Sequence, residues 1–242
     1  CLIAKTFTEQ GIGLFIPVMA YVGVLVGALL LHLFVTLMLF LKLLSGLDPF
    51  TFMKKIRPAQ IFAFSTASSN ATIPVTLRCV TERMGVNNSV ASFTVPFGAT
   101  INMDGTAIMQ GVATVFLANV YGIDLGLGGY ITVIAMAVLA SIGTAGVPGV
   151  GLVMLTMVLG QVGLPIEGIA LILGVDRLMD MIRTAVNITG DAVVSTIVAK
   201  TEGQVDMAVY LDPNAGVLTG DDLHIDEAAE HILADAAHKP AE

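Results

Sequence analysis

Apolar residues run from position 11 to 41, 31 residues in which His32 is the only basic or acidic side chain. As a helix that run is about 45 Å long, enough to span a bilayer even when tilted, and it predicts a spanning helix over 13–44. Residues 1–11 read as the end of a preceding transmembrane helix. The span leaves into Lys42, Gly46, Asp48, Pro49, Lys54, Lys55 and Arg57, a basic loop that the positive-inside rule assigns to the cytoplasm. Residues 58–77 carry no charge, yet Arg78 and Arg83 follow. Basic flanks at both ends of one crossing would put one of them on the wrong side. A re-entrant hairpin over 50–84 removes the conflict, with the hydroxyl-rich run STASSNATIP at 65–74 as its non-helical tip. Backbone of that kind at depth is tolerated only where it is buried in protein or lines a cavity. The competing reading, a surface loop between two soluble helices, is opposed by the apolar flanks.

Residues 88–121 hold one charge, Asp104, and predict a crossing to the outside. Its centre, GATINMDGT at 98–106, predicts unwound helix, because Gly weakens the ladder and freed carbonyls then need a ligand. Between Asp124 and Glu167 no side chain is charged, and SIGTAGVPGVG at 141–151 is too rich in Gly and Pro for a continuous helix. A second re-entrant hairpin over 127–164, entering from the outside, is the expectation. A helix over 167–200 then returns to the cytoplasm at Lys200. Asp176, Asp180, Arg183, Asn187 and Asp191 follow one another along it at +4, +3, +4 and +4, within about 80° of one helical face. Charges at the bilayer centre cost roughly 3 kcal/mol each, so the stripe should face protein or water and mark a transport path. A soluble amphipathic helix with a solvated face is the alternative.

Two internal repeats emerge, 58–121 and 125–200: each is a hairpin with a small-residue tip containing Pro, then a helix carrying Asn-x-x-Gly (Asn102 to Gly105, Asn187 to Gly190). With one hairpin entering from each side the repeats are inverted, and broken elements meeting at the midplane are where such transporters bind substrate and ions. The fold class expected is an all-α membrane protein, with a transport domain over 12–208. After Asp206 the chain reads as polar and mobile, an acidic cytoplasmic tail over 209–242. A short amphipathic helix at 221–237 would carry His224, His231 and His238 as a helix face rather than a metal site.

Composition sharpens the picture: 55% hydrophobic, 12% charged and mean hydropathy +0.87 are the profile of an integral membrane protein. Residues 1–201 hold ten Lys/Arg against nine Asp/Glu, while 202–242 hold ten acids and only Lys239, so the net charge of −8 belongs to the tail. That balance argues against a nucleic-acid partner. Cys1 and Cys79 have neither disulfide nor zinc spacing. A chain opening on Cys1, with no signal-peptide pattern before the first long run, predicts further helices upstream.

Asp104 with Asn102, Thr100 and Thr106 offers hard oxygens suited to a small cation; a neutral, hydrogen-bonded Asp is the alternative. At this point the chain resembles a known family. AFSTASSNATIPVT, PFGATINMDGTA, LASIGTAGVPGVG and GVDRLMDMIRTAVNITGD are similar to the dicarboxylate/amino acid:cation symporters, which include bacterial and archaeal glutamate/aspartate transporters and animal excitatory amino acid transporters. The resemblance implies eight transmembrane helices with two helical hairpins, of which this chain holds the last part, in a homotrimeric, multi-pass protein of the plasma (inner) membrane. It implies that Arg183 pairs with a substrate side-chain carboxylate and that Asp180 accepts the substrate ammonium. Ser68, Ser69, Thr106, Thr184 and Asn187, with backbone near Val147 and Gly151, are the remaining substrate contacts it implies. For sodium it implies one site from Gly98, Asn102, Asn187 and Asp191, a second from Thr100, Ser141, Ile142 and Thr144, and part of a third from Asn102 and Asp104.

Ala67 stands where the archaeal relative has Arg and the animal proteins Ser, and Asn70 replaces a Ser. Gln110 stands where the animal proteins carry a protonatable Glu, which predicts sodium coupling without that proton and leaves proton coupling elsewhere open. No cofactor is expected beyond the coupling ion. The function implied is uptake of acidic amino acids with sodium by alternating access, sodium ordering the carbonyls of 102–106 and 187–191 before the hairpin at 141–151 closes. A C4-dicarboxylate or neutral amino acid symporter of the same family, or an ion channel, are the competing readings. A hydrolase built on Ser68, Ser69, Asp104 and Asp180 lacks a Ser-His or paired-Asp motif.

Overall fold

Branched and long-chain apolar residues carry α1 through Phe15–Leu31, a wider π-helical stretch, His32–Leu37, and Met38–Ser45; the computed structural model describes residues 15–217. Gly46 ends the helix in the left-handed conformation, φ 72°, its N–H returning to the Lys42 carbonyl at 3.0 Å. Asp48 then starts α2 (Pro49–Thr66) by accepting from the Thr51 N–H at 2.7 Å, with Pro49 at the first helical position. Ala67 closes α2 at φ 51°, the one non-glycine residue with positive φ among the described residues. α3 (Ser69–Arg78) begins at once, because the Ser68 hydroxyl accepts from the Ala71 N–H at 3.2 Å. The ten-residue non-helical tip expected at 65–74 is therefore only Ala67 and Ser68. A hydroxyl residue that reads as a helix breaker caps the next helix instead.

α4 (Asn88–Ile101) and α5 (Asp104–Val120) are separated by two residues, Asn102 and Met103. The expected unwinding across 98–106 shrinks to this pair; Gly98 and Gly105 stay helical. α6 (Gly126–Ile142) and α7 (Val150–Gln161) flank an irregular segment at 143–149. A 3-10 turn, Ile166–Gly168, leads into α8 (Ile169–Thr201). α8 is 33 residues long, about 50 Å, and passes unbroken through 187–191. This corrects the expectation that carbonyls at 187–191 are free to be ordered by sodium: the helical ladder already uses them.

α8 is the axis of the molecule, packed by α1, α2, α3, α4 and α5, while α2 packs on α3 and α6 on α7. Leu25, Leu29, Phe52, Met109, Leu155 and Ile172 belong to one continuous apolar core. The outer faces are apolar as well: Phe50 is 80% exposed and Leu127 79%, as expected where the surroundings are lipid rather than water. One helix among the described residues, Ile16–Ser45, is both long and apolar enough to cross a bilayer; Gly126–Ile142 and Val150–Gln161 are apolar but shorter. The crossing expected at 88–121 is divided at Asn102, and α8, though long enough, carries Asp176, Arg177, Asp180, Arg183 and Asp191.

After α8 the chain is not loose where a mobile tail was expected. Val86 and Val205 form an isolated bridge, and α9 (Met207–Leu211) follows. Lys55 Nζ, only 2% exposed as a residue, donates to the Val209 and Asp212 carbonyls at 2.8 and 2.7 Å and to the Arg83 carbonyl. Tyr210, buried, donates its hydroxyl to the Asp48 carbonyl at 2.9 Å. The apolar stretch MAVYL supplies the reason: it buries Tyr210 against the α1–α2 turn. Residues 1–14 and the proposed helix at 221–237 lie outside the described residues.

Candidate functional site

Two Asn-x-x-Gly segments cross at the centre of the molecule, and glycine is what lets them approach. A Cβ on Gly98 would lie 2.6 Å from Asp191 Oδ1, one on Gly105 2.9 Å from Asn187 Oδ1, and one on Gly190 2.8 Å from Asn102 Nδ2. Each helix thus presents its polar side chains to the bare backbone of the other. Asn102 Nδ2 donates to Asp191 Oδ1 at 3.0 Å, the Gly105 N–H donates to Asn187 Oδ1 at 2.8 Å, and Asn187 Nδ2 donates to Thr106 Oγ1 at 3.3 Å. The break at Asn102–Met103 is what turns Asn102 and Asp104 toward α8. Gly98, Asn102, Asn187 and Asp191 are thereby brought together.

The tips of the two helix pairs meet beside this crossing. Ser68 Oγ and the Asn70 N–H both donate to the Gly146 carbonyl, at 2.7 and 3.1 Å. Gly149, at φ 81°, gives its N–H to Asp180 Oδ2 at 2.9 Å. A Cβ on Gly151 would lie 2.8 Å from Arg183 Nη2, so the 143–151 backbone lies directly on the guanidinium. Under this roof Arg183 Nη2 donates to Asp180 Oδ1 at 2.5 Å, and Nη1 lies 3.9 Å from Asp176 Oδ1. All three side chains are buried. Ser69, Thr106, Thr144, Val147, Thr184 and Asn187 line the same small space, about 10 Å³, roughly the volume one water needs. Ser68 does not line it; its hydroxyl is taken up by the contact between the tips.

The residues expected for a second sodium site are not joined by their side chains. Thr100 is exposed and turns its hydroxyl to the Pro96 carbonyl at 3.2 Å. Ser141 and Thr144 do the same with the Val138 and Ala140 carbonyls, both at 2.8 Å, and Ile142 is 46% exposed. Backbone oxygens are what this set has left to offer. Among the described residues no three His, Cys, Asp or Glu side chains converge as a metal cluster. The oxygens at the crossing come instead from two carboxylates, Asp104 and Asp191, with amides and backbone, a donor set for a hard cation.

His32 is the participant that sequence reasoning missed. Its Nε2 pairs with Asp104 Oδ2 at 2.5 Å, both side chains mostly buried, and so ties α1 to the crossing. The sequence held a signal, a single basic side chain in a 31-residue apolar run, but nothing that named a partner 72 positions away. Gln110, fully buried, finds no partner for either end of its amide among the described residues. Around the site four carboxylates, Asp104, Asp176, Asp180 and Asp191, stand against one guanidinium, Arg183, and one imidazole, His32; the other buried cation, Lys55, is spent on the carbonyls near α9. Buried charge in that ratio needs cations or protons to balance it.

A shell of exposed apolar side chains around a charged, roofed interior defines the membrane-transporter class. The chain belongs to the sodium:dicarboxylate symporter family, whose family model matches residues 1–201. It is 44% identical over 178 residues to an excitatory amino acid transporter of Caenorhabditis elegans, covering 74% of this chain and 35% of that protein. It is 43% identical over 180 residues to excitatory amino acid transporter 3 of Mus musculus, covering 74% and 34%. To the proton/sodium-glutamate symport protein of Bacillus subtilis it is 39% identical over 207 residues, covering 86% and 48%. The chain thus spans between a third and a half of the length of these relatives.

Proposed function

We propose that this chain is the transport part of a secondary active symporter that takes up acidic amino acids, aspartate or glutamate, together with sodium. The observation that carries the reading is the buried Arg183–Asp180 pair under the 143–151 backbone. An α-amino dicarboxylic acid answers both groups at once: its side-chain carboxylate replaces Asp180 on the Arg183 fork, and its ammonium replaces Arg183 at Asp180. One internal ion pair is exchanged for two, so opening the pair is offset by the ligand that opens it. Thr106, Thr184, Asn187 and Ser69 are near enough to take the α-carboxylate and the remaining donors. The names of the relatives support glutamate as cargo and sodium, or sodium with protons, as the coupling ion.

Sodium is the second cargo. Asp191 with Gly98, Asn102 and Asn187 forms one seat, and Asn102 with Asp104 contributes to another; the set around Thr100, Ser141, Ile142 and Thr144 contributes through its backbone oxygens. The helix pairs α2–α3 and α6–α7 act as re-entrant hairpins entering from opposite leaflets of the plasma (inner) membrane, in inverted repeats, and the intact protein is a homotrimer. Charge sets the coupling rule. A half-loaded interior presents uncompensated carboxylates during the movement across the bilayer and a fully loaded one does not, so the energetic penalty falls on partial loading.

Sodium-dependent uptake of labelled aspartate into proteoliposomes by the full-length protein tests this. Uptake that requires a sodium gradient is expected; steady ion conductance without uptake would replace the symporter with a channel. Arg183→Cys should abolish acidic amino acid uptake, by at least about 100-fold given the loss of a buried charged hydrogen-bonded pair, and undiminished glutamate or aspartate transport would overturn the assignment of Arg183.

A further inference from the structure

Apart from the Arg183–Asp180 space, α1 and α2 leave between them a groove of about 820 Å³. Its walls are Phe34, Val35, Met38 and Leu39 from α1 with Phe50 and Met53 from α2. Lys42 of α1 and Lys54 and Arg57 of α2 also line it, all three exposed. None of the three has a carboxylate partner among the described residues. The single acid at this end, Asp48, is engaged by the Thr51 N–H and hydroxyl, both at 2.7 Å, and Lys42 gives one donor to the Gly46 carbonyl at 3.3 Å.

We propose that this groove binds an anionic phospholipid, acyl chains along the α1 and α2 walls and phosphate among Lys42, Lys54 and Arg57. Three features point to that ligand. The groove follows the one helix long and apolar enough to cross a bilayer, and from Lys42 up to Phe34 the α1 wall rises about 12 Å, close to the roughly 15 Å of one leaflet's hydrocarbon. Its lining is apolar apart from the cations and Gln60, whose amide donates to Thr189 Oγ1 at 3.0 Å, so a free anion would leave the walls uncovered and a neutral lipid would leave the cations unmatched. Basic residues beside a spanning helix lie on the cytoplasmic side, the leaflet that carries anionic lipid. Arg57 adds a planar fork for two phosphate oxygens, while the lysines act as point charges.

The full-length protein is purified in detergent, offered phosphatidylglycerol or phosphatidylcholine of the same acyl composition, and weighed by native mass spectrometry. Phosphatidylglycerol should be retained at least about fivefold in preference, the worth of one basic residue near the surface. The triple variant Lys42→Gln, Lys54→Gln, Arg57→Gln should lose about tenfold or more of that retention and keep its thermal midpoint and its phosphatidylcholine retention. Met53→Trp, which fills the trough and leaves the charges, should lower the retention of both lipids. Equal retention of the two lipids, or an unchanged triple variant, overturns the proposal. Displacement of phosphatidylglycerol by millimolar inorganic phosphate overturns it in favour of a free anion. A photoreactive residue at Phe50 that crosslinks to another segment of the protein instead of lipid overturns it in favour of a protein-filled groove. Transport is not read in this assay, so its outcome is independent of the symporter reading.

Discussion

At the scale of single residues, the centre of the molecule is organised by atoms that are missing from side chains. Gly98 and Gly105 were legible as glycines in a polar run and read as helix weakeners, and Gly190 was read as the end of the second Asn-x-x-Gly. The structure gives them a different task, since each keeps its helix and clears room for a carboxylate or amide from the opposite strand of the crossing. A one-dimensional pattern cannot separate these two uses of glycine, because both place it among polar neighbours inside an apolar span. The distinction has a measurable consequence. Gly98→Ala puts a methyl group 2.6 Å from Asp191 Oδ1, an overpacking clash of about 1–3 kcal/mol. Because it displaces a side chain proposed above to hold the coupling ion, the variant should lose most of whatever thermal stabilisation sodium gives the full-length parent. A variant that sodium stabilises as well as it does the parent would remove Gly98 and Asp191 from the ion's surroundings. Arg183 and Asp180 were legible for the opposite reason: charge in an apolar helix is costly enough that its presence announces a partner. His32 was visible as an anomaly but not as a contact, because helix periodicity carries no register between separate helices.

At the scale of elements, caps decided where helices begin and end, and several were readable: Asp48 with Pro49, Gly46, and the Asn102 break. A helix over 167–200 was expected and α8 runs over Ile169–Thr201; what misled was its Asn-x-x-Gly, which copies the break in α4–α5 and suggested free carbonyls at 187–191, whereas residues 186–193 are buried and stay in the helical ladder. Asp48 allows a test of cap energetics by pH. The Thr51 hydroxyl, then the Thr51 N–H, hold its carboxyl below the ordinary carboxylate value. A group with a depressed folded-state value contributes stability that is fully present above its ordinary value and lost as pH falls through the lower one. Asp48→Ala should therefore cost about 0.5–1 kcal/mol at neutral pH, and the gap from the parent should narrow below about pH 4; a pH-independent gap in detergent melts would deny the carboxylate its role. Lys55 makes a second test. Its ammonium donates to the carbonyls of Arg83, Val209 and Asp212, so Lys55→Met strands three acceptors, about 2–4 kcal/mol. Proteolysis between 203 and 212 should accelerate by at least about tenfold while the helical core melts nearly as before. Equal cleavage rates would mean that α9 is held by Tyr210 and the Val86–Val205 bridge without it.

For the whole molecule, an apolar core is wrapped in outer faces that are apolar too, and the excess of apolar residues this requires is visible in composition alone. What composition did not reveal is how the charge around the site is apportioned: four carboxylates to one guanidinium and one imidazole. For the substrate proposed above, the Arg183–Asp180 pair sets an expectation about selectivity. Asp180 is already satisfied by Arg183 and the Gly149 N–H, so a ligand that takes Arg183 away must bring its own positive group or leave a bare buried acid, at a cost of several kcal/mol. Unlabelled aspartate should therefore compete with labelled aspartate, whereas succinate, which lacks the ammonium, should compete at least about 100-fold less well. Succinate competing on equal terms would return the dicarboxylate reading to first place.

The Gly146 carbonyl receives both Ser68 Oγ and the Asn70 N–H. Separating the two tips breaks these two bonds whichever one moves, and moving the 143–149 segment also breaks the bond from the Gly149 N–H to Asp180. In the symporter proposed above, the α6–α7 side of this contact therefore carries one bond more than the α2–α3 side.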